Sequence, residues 1–233
     1  MKDCCFCNRC WCLALSKCCI NIPVSSRYLW QTNFYLHRSC ISNMECMFGP
    51  ALWSWPSTCG FTEGLCQIGA GVSLPGILAA KCGATVILSD NSELPHSLEI
   101  CQQSCQMNNL PQVHVLGLTW GHVSPDLLAL PPQDVILASD VFFEPEDFED
   151  ILTTVYFLME KNPKVQLWST YQVRSADWSL EALLYKWDMK CVHIPLESFD
   201  ADQEDIAESA LPGRHTIEML IISFAKGSPD LPP

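Results

Sequence analysis

The sequence predicts an α/β fold built around a largely parallel sheet. From residue 64 onward, short apolar runs alternate with segments of helical periodicity, which is the pattern of repeated strand–helix–strand units. The composition agrees, because 233 residues with 48% hydrophobic and 17% charged side chains are typical of a globular domain with a sizeable core. A glycine-containing turn also follows the first apolar run, where open α/β sheets bind ligands.

Seven strands and four helices account for this pattern. The strands are predicted near residues 64–68, 85–89, 112–118, 134–139, 164–170, 191–196 and 217–225. The helices are predicted over Leu74–Cys82, Leu94–Asn108, Pro145–Glu160 and Ala176–Met189. Ser92 and Asp177 are candidate helix starts, and Gly83 and Asn108-Asn109 are candidate stops. The acidic and polar residues 198–214 are expected to form a solvated loop.

The first 60 residues differ in composition from the rest of the chain. They carry five Lys/Arg against two acidic residues, a net +3, whereas residues 61–233 carry eight against twenty-four, a net -16. They also hold ten of the fifteen cysteines, but adjacent pairs and a C-x-C do not match the paired C-x-x-C spacing of zinc sites. We therefore predict an irregular, poorly structured N-terminal segment at 1–60, one domain at 61–227 and a tail at 228–233.

The compartment and the class of partner follow from cysteine usage and charge. The remaining cysteines are scattered as expected for buried thiols of a reduced intracellular protein: Cys66, Cys82, Cys101, Cys105 and Cys191. We expect no signal peptide and no membrane partner, since no apolar run reaches the roughly 18 residues of a membrane span. An acidic domain repels phosphate backbones, so we expect basic proteins as partners and no direct nucleic-acid binding.

The turn Gly69-Ala70-Gly71 is the first candidate ligand site. It follows a predicted strand and opens a helix, so its backbone can approach a ligand closely and its N–H groups can face it. Asp90 ends the next strand, nineteen residues beyond Gly71, where its carboxylate can accept hydrogen bonds from ribose hydroxyls. The pair indicates a nucleoside-containing cofactor. The alternative is a tight turn that only packs strand on helix, with Asp90 as a helix cap.

Two further strand ends narrow the class of cofactor. Leu74 occupies the position of the third glycine in a dinucleotide motif, which disfavours NAD. Trp120 follows the third strand and can cover an adenine face, although a tryptophan there can also be plain core packing. Ser139 and Asp140 follow the fourth strand, and the carboxyl ends of parallel strands meet at one edge of a sheet.

These residues resemble a known family. The stretches QIGAGVSLPGILAAKCGATVILSD, LTWG and DVILASDVFFEPED are similar to the family-16 seven-strand methyltransferases, over roughly residues 65–226. The resemblance implies a Rossmann-like sheet with an antiparallel last strand, S-adenosyl-L-methionine as methyl donor, and protein substrates, with histone arginine as the most specific expectation. The cofactor contacts expected on this basis are Gln67, Gly69, Ala70, Gly71, Asp90, Trp120 and Ser139. From the end of the fourth strand, either Ser139 or Asp140 can reach the methionine moiety.

Three departures from the family pattern affect function. Gln67 stands where the family usually has Glu, so we expect weaker cofactor binding because a negative charge near the sulfonium is lost. Phe143 stands where lysine-specific members carry the Tyr of Asp-x-x-Tyr, which puts lysine specificity in doubt. The Trp55-Pro56 pair lies only twelve residues before Gln67. The family places it about two dozen residues ahead, before a helix that helps to cover the cofactor.

Methyl transfer is an in-line displacement that needs positioning and no metal. A guanidinium is protonated below about pH 12, so an arginine enzyme needs carboxylates that bind it and bias one nitrogen toward attack. Asp140 and Glu144, after the fourth strand, are the candidate catalytic residues. The neighbouring acids are predicted to favour the positive N-terminus of the next helix: Glu146, Asp147, Glu149 and Asp150.

The sequence thus favours a histone arginine N-methyltransferase of the nucleus and cytoplasm. Such an enzyme would act on chromatin in transcription regulation, with transcription factors or chaperones as possible partners. Two alternatives stay open at this point. One is a protein lysine methyltransferase acting on chaperone-type substrates, and the other is an inactive binding module that keeps only the fold.

Overall fold

The computed structural model describes residues 64–81, 83–173, 179–195 and 217–225. The predicted N-terminal segment, the loop at 198–214, the tail at 228–233, Cys82 and Asp177 lie outside the described residues. Those predictions therefore stay predictions, as do the domain boundaries that depend on them.

Seven strands form one sheet, as the sequence predicts. The strands are β1 Gly64–Ile68, β2 Thr85–Asp90, β3 His114–Gly117, β4 Val135–Ser139, β5 Gln166–Gln172, β6 Met189–Ile194 and β7 Ile217–Phe224. Their order across the sheet is β3-β2-β1-β4-β5-β7-β6. The first five strands pair in parallel, and β7 runs antiparallel to both β5 and β6. The prediction of a mostly parallel sheet with an antiparallel last strand is confirmed.

Helices connect these strands. The described residues form α1 Leu74–Lys81, α2 Pro95–Met107, α3 Pro125–Ala129, α4 Phe148–Lys161 and α5 Leu180–Lys186, with a 3-10 turn at Pro145–Asp147 before α4. The short helix α3 was not predicted, although its signal is present: the Ser124 side chain accepts a hydrogen bond from the N–H of Leu127, and Pro125 occupies the first helical position.

Two predicted helix ends are wrong. The start at Ser92 fails because α2 begins at Pro95, and Ser92 instead shares a hydrogen bond with Thr119. The end at Met189 fails because α5 stops at Lys186. A turn at Trp187-Asp188 follows, with Asp188 in the left-handed region at φ 55°, and it lets β6 begin at Met189. A short polar residue tolerates that conformation better than most others do.

The core lies on both faces of the sheet. On one face, α4 buries Ile151, Leu152 and Val155 in a cluster that also contains Ile68 of β1. On the other face, Ile77 of α1 lies in a second cluster of buried apolar side chains. The helices thus cover both faces, and the carboxyl ends of β1 to β5 open together along one edge. No helix of the described residues is both long and apolar enough to cross a membrane.

Candidate functional site

The turn after β1 has a backbone that requires glycine. Gly69 and Gly71 have φ values of +57° and +51°, in the left-handed region. A Cβ added to Gly69 would lie 3.0 Å from Val141 Cγ1 and 3.1 Å from Trp120 Cζ2. The loops that follow β3 and β4 therefore pack directly on this turn, so the predicted site residues of three loops come together here.

Asp90 holds the glycine turn from the end of β2. The N–H of Gly71 donates to Asp90 Oδ2 at 2.7 Å, and the N–H of Asn91 donates to Oδ1 at 2.8 Å. The side chain is half-buried. Since a carboxylate offers about four acceptor positions, each oxygen can accept a further hydrogen bond. Asp90 thus shapes the turn and can also receive ligand hydroxyls.

The loops after β2 and β3 are joined to each other. The Ser92 and Thr119 hydroxyl oxygens lie 2.5 Å apart, and the Thr119 hydroxyl also donates to Asn91 Oδ1 at 3.2 Å. This connection was not predicted from the sequence. Its only signal was the short polar run Asn91-Ser92 directly after Asp90, which is common in turns of any kind.

Gln67 contacts the first turn of α1. Its side chain is 1% exposed, and its Oε1 accepts a hydrogen bond from the N–H of Gly76 at 2.8 Å. Gly76 lies in the first turn of α1, where backbone N–H groups lack helical partners. Gln67 therefore supports the helix that follows the glycine turn, and its predicted contact with a cofactor stays a prediction.

Cys101 contacts the glycine turn from α2. Its Sγ donates to the carbonyl oxygen of Gly71 at 3.2 Å. Burial raises the pKa of Cys101, like that of Cys66, to about 12, so both remain neutral thiols. Cys66, Cys101, Cys105 and Cys191 are all free. A buried thiol at Cys101 was expected from the sequence, but spacing alone could not identify its partner.

Trp120 covers the glycine turn and also joins the core. It is half-buried, packs against the cluster around α4, and its ring edge faces Gly69. The next residue, Gly121, has φ +73° and donates its N–H to the Thr154 hydroxyl at 2.9 Å. A Cβ on Gly121 would lie 2.4 Å from Asp150 Oδ1, so Asp150 packs tightly against this backbone.

Ser139 and Asp140 turn the chain out of β4. Asp140 has φ 51°, and its N–H donates to the carbonyl oxygen of Thr170 at 2.9 Å. Ser139 Oγ lies 3.4 Å from Thr170 Oγ1. Both residues are half-buried. Like Asp188, Asp140 is a short polar residue that tolerates the left-handed region better than most others do.

Two acidic residues after β4, Glu144 and Glu149, differ in their contacts. Glu144 is exposed and makes no cap to the 3-10 turn. Glu149, in contrast, accepts hydrogen bonds from Lys186 Nζ and from Trp187 Nε1, the latter at 2.7 Å. The hydrogen bond from Lys186, followed by that from Trp187, holds the pKa of Glu149 below its ordinary value. Glu149 therefore joins α4 to α5, as a structural contact.

The combined site suits a nucleoside-containing ligand. A close backbone turn, a half-buried carboxylate and a flat aromatic ring meet at Gly69, Asp90 and Trp120. These groups match an amino-acid nucleoside such as S-adenosyl-L-methionine, whose ribose offers hydroxyls and whose adenine offers a flat face.

Comparison with known proteins decides the family. Residues 34–180 match a family model described as lysine methyltransferase, which is more than half of the chain. The chain belongs to this methyltransferase family. The match begins at residue 34, so it includes part of residues 1–60. A human protein named histone-arginine methyltransferase METTL23 is 85% identical over 166 residues, which cover 71% of this chain and 87% of the human protein.

Solved structures show the same fold. A TehB-like SAM-dependent methyltransferase from Corynebacterium glutamicum aligns with a TM-score of 0.55 at 11% identity, over 86% of this chain and 97% of that one. The magnesium protoporphyrin IX methyltransferase of Synechocystis with bound SAM gives 0.51 at 16% identity, over 78% and 79%. The Rossmann-like methyltransferase fold is confirmed. As a member of the family, the chain is an S-adenosylmethionine-dependent protein methyltransferase.

Proposed function

We propose that this methyltransferase modifies arginine side chains of histones. The observation that carries the proposal is the loop after β4, which contains Asp140, the exposed ring of Phe143 and the exposed Glu144. This loop touches the cofactor turn through Val141, whose Cγ1 would lie 3.0 Å from a Cβ on Gly69. Acidic side chains beside the donor site are what a guanidinium substrate requires.

The cofactor side is assigned to the residues around the glycine turn. The backbone of Gly69, Ala70 and Gly71 would lie against the bound donor, Asp90 would accept its ribose hydroxyls, and Trp120 would cover its adenine. Ser139 would meet the methionine end. When bound, S-adenosyl-L-methionine supplies an activated methyl group on a positively charged sulfur.

The substrate side is assigned to the β4 loop. Asp140 would bind the guanidinium through charge-assisted hydrogen bonds and hold one nitrogen in line with the methyl group. Glu144 would contact the remaining N–H groups, and the Phe143 ring, 41% exposed, would stack on the guanidinium plane. After transfer, the extra proton on the product nitrogen would leave through one of these carboxylates to water.

Arginine is preferred over lysine for two reasons. The human relative, 85% identical, is named for histone-arginine methylation. Phe143 also lacks the hydroxyl that lysine-specific members would present, so a lysine amine would lose a hydrogen-bond partner there. The family description as lysine methyltransferase keeps lysine as the second candidate.

Charge supports a histone as the substrate. Residues 61–233 carry eight basic against twenty-four acidic side chains, and an acidic surface attracts basic histone tails. We accordingly propose action on chromatin in transcription regulation, in the nucleus and the cytoplasm, with transcription factors or chaperones as further partners.

Incubation of the full chain with labelled donor and core histones tests the proposal. We expect label on histone, located on arginine by mass spectrometry, and strongly reduced label with Asp140→Asn. Asp126→Asn, in the first turn of α3 away from the β4 loop, is the matched control and should keep wild-type activity. Label on lysine would replace arginine with the second candidate, and histones labelled equally by wild type and Asp140→Asn would refute the assigned role of Asp140.

A further inference from the structure

Four side chains that can bind a metal or orient its ligands meet at the outer edge of the sheet. Glu181 lies in the first turn of α5, Cys191 and His193 lie on β6, and Glu218 lies on β7. Cys191 and His193 are two residues apart on one strand, so they share a face. β6 is the edge strand, three positions from β4 in the sheet order, so this cluster is separate from the methyltransferase site.

The three atoms that could coordinate a metal are already close together. His193 Nε2 lies 3.1 Å from Glu181 Oε1 and 3.8 Å from Cys191 Sγ. All three ligand atoms lie within 4.8 Å of one another. Around a tetrahedral zinc ion with bonds of about 2.0–2.3 Å, ligand atoms lie roughly 3.3–3.6 Å apart. The side chains thus need only small adjustments to converge on one ion.

Glu218 completes the arrangement from the opposite side of the imidazole. Its Oε2 lies 3.5 Å from His193 Nδ1, the ring nitrogen that faces away from Glu181. A carboxylate at that position accepts the Nδ1–H and leaves the Nε2 lone pair directed at the metal. Metal-binding histidines almost always have such a partner, so the fourth residue is a second observation in favour of a metal.

We propose that Glu181, Cys191 and His193 bind one zinc ion, with Glu218 orienting His193 and water as the fourth ligand. Thiolate, imidazole and carboxylate together suit zinc better than magnesium or calcium, which prefer oxygen ligands alone. The two carboxylates beside His193 also attract a cation. The ion would fasten α5 to the edge strand, independently of the proposed histone-arginine activity.

Metal titration of the full chain, first freed of metal by a chelator, tests this site. Zinc chloride is titrated into wild type, His193→Ala and His96→Ala. The cysteines before residue 60 can also bind zinc, so the result is the difference between variants. We expect His193→Ala to bind one equivalent fewer than wild type. His96→Ala is the matched control, since the exposed His96 lies 3.6 Å from Glu99 but belongs to no three-ligand group of the described residues, and it should bind as wild type does.

Cobalt supplies a spectroscopic readout of the same site. Cobalt(II) bound to a thiolate absorbs through sulfur-to-metal charge transfer, so Cys191→Ser should reduce this absorption while the chain remains folded. Glu218→Gln should retain the zinc equivalent but weaken its binding by about 10- to 100-fold. Equal zinc stoichiometry in wild type, His193→Ala and Glu181→Gln would overturn the proposal, as would cobalt spectra that Cys191→Ser leaves unchanged.

Discussion

Asp90 ends β2 and Asp140 follows β4, at the same edge of the sheet, yet their surroundings differ. Asp90 keeps strand geometry, and both of its oxygens accept backbone N–H groups, at 2.7 and 2.8 Å. Asp140 has φ 51° and leads into a loop whose next charged residue, Glu144, is exposed. The difference indicates that backbone hydrogen bonds hold Asp90 on the proposed cofactor side, whereas the proposed substrate side places acidic side chains in a turn and an exposed loop.

Gly69→Ala should have the largest effect on binding of S-adenosyl-L-methionine at the proposed cofactor side. The new Cβ would meet Val141 and Trp120 at about 3 Å, in a backbone conformation that costs a non-glycine residue roughly 1–2 kcal/mol. We expect the Kd for S-adenosyl-L-methionine, measured by calorimetry, to rise at least about tenfold, equivalent to about 1.4 kcal/mol. Gly83→Ala, at φ 99° beyond α1, is the control: it should lose stability but keep donor affinity. Unchanged affinity in Gly69→Ala would contradict the assignment of this turn.

Variants of Gln67 test whether its hydrogen bond to α1 stabilises the fold next to the glycine turn. Gln67→Leu removes the acceptor of the buried Gly76 N–H, so the free energy of unfolding should fall by about 1–3 kcal/mol in urea titrations. Gln67→Glu keeps an acceptor oxygen and is the matched variant. Because the side chain is 1% exposed, we expect its donor affinity to stay within about threefold of wild type. If Gln67→Glu instead bound S-adenosyl-L-methionine much more tightly than wild type, the direct effect of charge on the cofactor that the sequence predicts would be supported.

Glu149 tests whether an acidic residue after β4 has a structural role and not a role in substrate binding. Its folded pKa lies below the ordinary 4.5, so its contribution to stability is present above that pH and is lost as pH falls through the folded pKa. The carboxylate is 46% exposed, so Glu149→Gln should cost less than about 1 kcal/mol at pH 7. Thermal melting should show this difference at neutral pH and none in strong acid, while methylation stays unchanged. A large loss of activity at unchanged stability would place Glu149 in the substrate site.

The sequence predicted the sheet well because buried parallel strands read as short apolar runs, such as Val135–Ser139. It predicted helix ends less well. Ser92 has the right residue type for a cap, but its hydroxyl bonds to Thr119, twenty-seven residues away. Such a tertiary contact leaves no local pattern in the chain.

The candidate site shows the same division between local and long-range information. The Gly69–Gly71 turn and Asp90 were predicted because strand ends and their spacing are local features. Gln67 contacts Gly76 only because α1 packs beside β1. Glu149, unlike Glu144, has a structural contact, and this depends on how α5 packs on α4. The cluster of Glu181, Cys191 and His193 likewise joins a helix to an edge strand, so no spacing rule in the sequence revealed it.

The division of roles between the two aspartates is tested most directly with Asp90→Asn and Asp140→Asn. The Kd for S-adenosyl-L-methionine and the KM for a histone peptide are measured for each. We predict that Asp90→Asn raises the donor Kd about tenfold or more with little change in peptide KM. Asp140→Asn should lower kcat/KM for the peptide by roughly 10- to 100-fold, the worth of a charge-assisted hydrogen bond, and leave the donor Kd near wild type. Equal losses of donor affinity in both variants would contradict the account.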